Sequence, residues 1–107
     1  MLIYNVTVTI DLDVAEAWLQ WMLNTHLPEM MATGMFRSYR LNRMIAHDHP
    51  DAEIYTAQYL VPDMEHLIRY RDEFAPALQA DSQKRFGGKY AAFRTVMEVV
   101  AHNENMD

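Results

Sequence analysis

The sequence contains no cysteine, which excludes disulfides, a thiol nucleophile and any thiolate metal site. Glycine is nearly as scarce, with three residues in 107. None belongs to a Gly-rich phosphate loop, and "FGGK" at 86–89 reads as the cap that ends a helix. Basic residues are the minority charge, nine Lys and Arg against fifteen Asp and Glu, for a net charge of −6 with His neutral. Phosphates are repelled by such a surface unless a local basic patch overrides it. No patch is visible, so neither nucleic acid nor a membrane is expected as a partner. No apolar run approaches the roughly 18 residues of a membrane span. The first ten residues include Asn5, Thr7 and Thr9 and lack a basic leader, so no signal peptide is expected and the cytoplasm is the expected compartment. A nucleophile elbow and an H-E-x-x-H metal motif are also missing.

What is present suits one globular domain: half the residues are apolar and 22% are charged. Residues 1–101 are expected to form that domain and residues 102–107 a flexible tail. In the opening segment Leu2, Tyr4, Val6, Val8 and Ile10 alternate with Ile3, Asn5, Thr7 and Thr9, the period of a strand with one apolar face. The period then changes. Asp13 and Glu16 fit a capping box, and Val14, Trp18, Trp21, Met22 and Thr25 form a helical stripe that Pro28 is expected to end near residues 24–27.

Gly34 turns the chain into a second strand, expected over residues 35–46. It carries charge on both parities and so belongs at a sheet edge. A polar loop, "HDHPD", leads to a third strand at 53–61. Asp63 caps a second helix, in which Leu67, Tyr70, Phe74 and Leu78 recur at intervals of 3, 4 and 4. Pro76 either kinks that helix or divides it. A last strand is expected over residues 90–101.

The order βαββαβ implies two right-handed crossovers that interleave into a four-stranded antiparallel sheet of order 4-1-3-2, with two helices on one face. This is an α+β, ferredoxin-like plan. Two helices roof only one side. The reverse side is expected to show Ile3, Asn5, Thr7 and Thr9; Phe36, Ser38, Arg40, Asn42 and Met44; Ile54, Thr56, Gln58 and Leu60; and Ala92, Arg94, Val96, Glu98 and Val100. So mixed a face suits either plain solvation or closure by a second copy around a polar cleft.

The segments "IYNVTVTID", "WLQWMLNTHLPEMMATGMF", "YRDEFAPALQ" and "FGGKYAAFRTVMEVV" together resemble the family catalogued as domain of unknown function 4286. These are small bacterial proteins, and the family carries over no catalytic residues. More distantly, the element order and mixed face resemble the dimeric alpha-beta barrel superfamily, which includes cofactor-independent monooxygenases and muconolactone-isomerase-like enzymes. That resemblance is one of fold, and a fold hosts many functions.

Among single residues, His26 stands out. Near the negative end of the first helix its imidazolium is favoured, with a pKa near or above 6.5. It serves either as an acid/base group at a cleft mouth or as a cap on the last carbonyls. Asn5, Arg40, Thr56, Gln58, Arg94 and Glu98 are the candidate ligand-binding residues of the mixed face. Arg94 suits a carboxylate or enolate oxygen, or pairs across a dimer. Glu98 lies about 13 Å from it along a strand, too far for a direct bond. His47, Asp48, His49 and Asp51 lack an evident further ligand and read as a polar loop. No metal and no cofactor is expected. The expected function is that of a homodimer binding a small aromatic or carboxylated molecule between its sheets, without catalysis; the alternative is a cofactor-independent monooxygenase- or isomerase-like enzyme.

Overall fold

A computed structural model describes residues 1–105. Strand β1 (Leu2–Asp11) leads through helix α1 (Leu12–Trp21), a π-helical turn (Met22–His26) and α2 (Leu27–Ala32) to β2 (Ser38–Arg43) and β3 (Ala52–Val61). Helices α3 (Met64–Glu73) and α4 (Ala75–Phe86) then return the chain to β4 (Tyr90–Glu98). The sheet order is β2-β3-β1-β4, the expected order read from its other edge, and every pairing is antiparallel. Helices pack on one face only. Trp18 meets Tyr55 at 4.9 Å between ring centroids, and Tyr70 meets Tyr4 at 5.6 Å. Trp18, Tyr59, Ile10, Leu27, Met30 and Val61 are the large side chains most completely enclosed in this core.

Local chemistry accounts for most element ends. Asp63 Oδ1 accepts the His66 amide at 2.9 Å and starts α3 as a side-chain cap. Phe74 separates α3 from α4, and Pro76 sits in the first turn of α4, where its missing N–H costs nothing. The helix is divided there. At the first helix the structure differs from the capping-box expectation. The helix begins two residues earlier than that motif allows, after Asp11, and Asp13 instead accepts a bond from Lys89 Nζ at 2.9 Å.

Nor does the first helical stretch end before Pro28. The π-helical turn, in which the Leu27 amide bonds Met22 O, widens the backbone just where the Pro28 ring would collide with a carbonyl four residues earlier. The axis then continues as α2, and Leu27 and Met30 stay in the core.

Both edge strands are shorter than expected. Phe36 precedes β2 and turns into the helix-covered core, between Tyr4, Tyr59 and Tyr70, so its expected place on the reverse face is corrected. At the other edge Val6 faces Arg94, and Leu2 faces Glu98. Since Leu2 and Val6 belong to the parity that packs under the helices, Ala92, Arg94, Val96 and Glu98 share that side. The reverse face of β4 is therefore made of Ala91, Phe93, Thr95 and Met97. Beyond β4 the Val99 amide bonds Met1 O, and the Glu104 carboxylate lies 3.5 Å from Arg40. Met106 and Asp107, the last residues of the expected tail, lie outside the described residues.

Candidate functional site

Pairing with β1 fixes which β4 side chains enter the helix layer, and α4 leaves the outer part of that strand uncovered. Arg94 and Val96 are exposed although they lie on the helix side of the sheet. A trough runs between α4 and β4. Its inner chamber, about 50 Å³, lies among Trp18, Trp21, Met22, His26, Tyr70, Ser82 and Arg94. Its outer chamber, about 280 Å³, lies among Met64, Leu67, Ile68, Ala75 and Val96. Tyr4, Tyr70, Gln79 and Arg94 line both chambers and so mark their junction.

His26 forms part of the inner wall. Its ring stacks on Trp21 with centroids 4.8 Å apart and planes inclined by 28°. Burial is the main cause that lowers its pKa, to about 4, while Asp81 opposes the shift and Arg94 adds to it. The expected imidazolium at a helix end is thus corrected, because the helical stretch does not end at His26 and desolvation dominates. The carbonyl-capping alternative falls with it. His26 is neutral at pH 7. Its Nδ1 and the Trp21 Nε1 are both buried without a hydrogen-bond partner among the described residues, and each such atom costs about 1–3 kcal/mol.

Beside this pair the Arg94 guanidinium interacts with the Tyr4 hydroxyl, partly offsetting the burial that raises the Tyr4 pKa. None of the ion pairs among the described residues includes Arg94. Planar aromatic wall, neutral imidazole and guanidinium together can hold a small molecule with an acceptor group.

The candidate ligand-binding residues divide between two faces. Asn5, Arg40, Thr56 and Gln58 lie on the open reverse face of the sheet. There Asn42 Nδ2 donates to Thr56 at 3.1 Å and to Gln58 at 3.4 Å, and Asn5 donates to Thr7 at 3.0 Å. Arg94 and Glu98 lie on the helix side, and of the two Arg94 lines the same chamber as His26. Asn5 and His26 share no cleft, since the sheet separates them. Gln79 and Ser82 enter the trough without having been singled out by sequence. On an exposed helix they look like ordinary solvated residues, and no spacing signal distinguishes them. The His47 and His49 rings lie 6.0 Å apart in the β2–β3 loop. Among the described residues no three His, Cys, Asp or Glu side chains are grouped to hold a metal.

The family model for a domain of unknown function (DUF4286) matches residues 1–100. The chain belongs to that family. No curated protein sequence matches it significantly. Among solved structures it is similar to a putative antibiotic biosynthesis monooxygenase from Deinococcus radiodurans, with 12% identity, all of both chains covered and a TM-score of 0.68. It is similar to a dimeric ferredoxin-like protein from an uncultured marine organism, at 12% identity over 96% of this chain and 99% of that one, TM-score 0.63. A variant of MhuD with two manganese protoporphyrin IX molecules bound per active site aligns at 15% identity over 96% of this chain and 99% of that one, TM-score 0.65. At these identities the likeness establishes the ferredoxin-like fold alone. None of the helices among the described residues is long and apolar enough to cross a membrane.

Proposed function

We propose that this protein is a cytoplasmic homodimer that binds a small organic ligand in the α4–β4 trough of each subunit. The observation that carries the reading is the meeting of His26, Trp21 and Arg94 at one chamber, with two buried nitrogens unpartnered. A ligand atom that bonds either nitrogen offsets its desolvation. The dimer closes through the open sheet face, where the exposed Phe93 and Met97 flank a polar centre of Asn5, Thr7, Thr56 and Gln58. Support also comes from similar folds, one a dimer and one holding a porphyrin. The ligand-binding site assigned to the sheet–sheet interface by sequence thus moves to the helix side, while the interface keeps the second copy.

The test is a thermal-shift screen of small aromatic and carboxylated molecules against the wild type and His26→Phe. A ligand present at about 100 times its Kd stabilises the native state by about 2.7 kcal/mol. Hits that stabilise the wild type and lose their effect in His26→Phe support the trough. Hits that keep their full effect in the variant, or a screen without hits, overturn it.

A second reading rests on the neutral state of His26. A neutral imidazole accepts a proton, and Arg94 at the same chamber suits the oxygen of an enolate. That combination fits a cofactor-independent monooxygenase- or isomerase-like reaction. Hydrogen–deuterium exchange at the α-carbon of a bound carbonyl compound, lost in His26→Phe, would favour this reading over binding alone.

A further inference from the structure

We infer that the preferred ligand class is a monocarboxylate with an apolar tail, its head on Arg94 and its tail in the outer chamber between α3 and β4. The inference rests on the trough being a ligand site. It goes further by assigning the two ends of the molecule.

Size decides the first point. The inner chamber, about 50 Å³, holds a head group and little more, whereas the outer one, about 280 Å³, approaches the ~300–1,000 Å³ of ordinary small-molecule sites. The bulk of any ligand therefore lies outward. Chemistry decides the second. The outer walls are Met64, Leu67, Ile68, Ala75 and Val96, and three of these, Met64 at 50%, Ile68 at 42% and Val96 at 48%, are large apolar side chains left exposed. An apolar tail removes that surface from water, and adaptable Met64 fits tails of differing shape.

Charge decides the third. Two arginines line the outer chamber, but Arg71 is bound to Asp72 at 2.9 Å and 3.3 Å. Arg94 carries no ion pair among the described residues and stands where the two chambers join. Its fork matches a carboxylate. Arg94 also borders a wider recess of about 520 Å³ among Pro76, Gln79, Ala80, Gln83, Tyr90 and Ala92, but Met64, Leu67, Ile68 and Val96 line only the outer chamber, so an apolar tail is directed there.

Calorimetric titration of the full chain with butanoate, hexanoate, octanoate, octanol and octylamine tests the assignment. Affinity is expected to rise about fourfold per methylene from butanoate to octanoate. Octanol and octylamine are expected to bind about tenfold more weakly than octanoate, the loss of one charge-assisted hydrogen bond. In Arg94→Gln octanoate should fall to the level of octanol, and Arg94→Lys should restore part of the difference. Ile68→Glu, an exposed substitution that leaves the core intact, should weaken octanoate more than butanoate.

Equal binding of octanoate and octanol, indifference to chain length, or an unchanged octanoate affinity in Arg94→Gln overturns the assignment. If none of the acids binds while the screen described above yields hits dependent on His26, the ligand class is wrong and the trough stands. If neither binds, both readings fall.

Discussion

His26 lies against Trp21 at 4.8 Å, with its Nδ1 enclosed and its pKa lowered to about 4. In the unfolded chain the same imidazole titrates near 6.5. Between those values the unfolded state binds the extra proton, so stability is complete above pH 6.5 and declines as the pH falls toward 4. The expected loss from His26 is about 2 kcal/mol between roughly pH 7.5 and pH 5. Urea denaturation of wild type and His26→Phe across that range checks it. The variant should show a flatter profile, and parallel profiles would mean that His26 is not buried in its neutral form.

The register of β4 makes a paired prediction about association. Phe93, 63% exposed, lies on the open face opposite Thr7, whereas Val96, 48% exposed, lies on the helix side opposite Tyr4. Phe93→Glu should convert a dimer to a monomer in light scattering at tens of micromolar, because each subunit would bury a carboxylate where the interface holds an apolar ring. Val96→Glu should leave the mass unchanged. The opposite pattern would place the interface on the helix side.

Strand order was legible in sequence because β1 and β3 alternate cleanly, and Tyr55, Ala57 and Tyr59 are buried as that alternation requires. The parity of β4 was not. Its helix-side residues include Arg94 and Glu98, which resemble solvent-facing positions, while Phe93 and Met97 resemble core. An edge strand that α4 leaves partly uncovered tolerates charges on the covered side and apolar residues on the other, so composition alone misassigns it. His26 was legible as a residue of interest but not in its protonation state. That state depends on the π-helical turn that carries the chain past Pro28 into α2, a backbone adjustment that periodicity does not reveal. Gln79 and Ser82 become visible only once α4 is placed against β4.

Adjacent glycines before β4 make different demands. A Cβ on Gly87 would lie 2.4 Å from the Gln83 carbonyl oxygen, which accepts the Gly87 amide at 2.8 Å. A Cβ on Gly88 meets nothing within 4 Å, but the residue has a φ of +83°. Gly88→Ala should therefore cost about 1–2 kcal/mol through backbone conformation alone. Gly87→Ala should cost about 2–3 kcal/mol, because backbone atoms must shift and the helix-ending bond weakens. Chemical denaturation separates the two, and Gly88→Asn should recover part of the first loss since Asn tolerates a positive φ.

Phe36 ties the entry of β2 to α3 through three rings, with centroids 6.2 Å from Tyr4, 5.1 Å from Tyr59 and 4.8 Å from Tyr70. Its position tests the fold at the point where simple strand alternation fails. On the open face, truncation would remove a solvent-exposed ring and cost little. In the aromatic cluster it opens a cavity beneath α3, and Phe36→Ala should cost about 3–5 kcal/mol. Against a total of about 5–15 kcal/mol for a domain, that loss brings the variant close to unfolding at ambient temperature. Phe36→Leu fills most of the space and should retain a cooperative urea transition at a lower midpoint. If both variants denature at the wild-type midpoint, Phe36 is not part of the core and the chain enters β2 from the other side of the sheet.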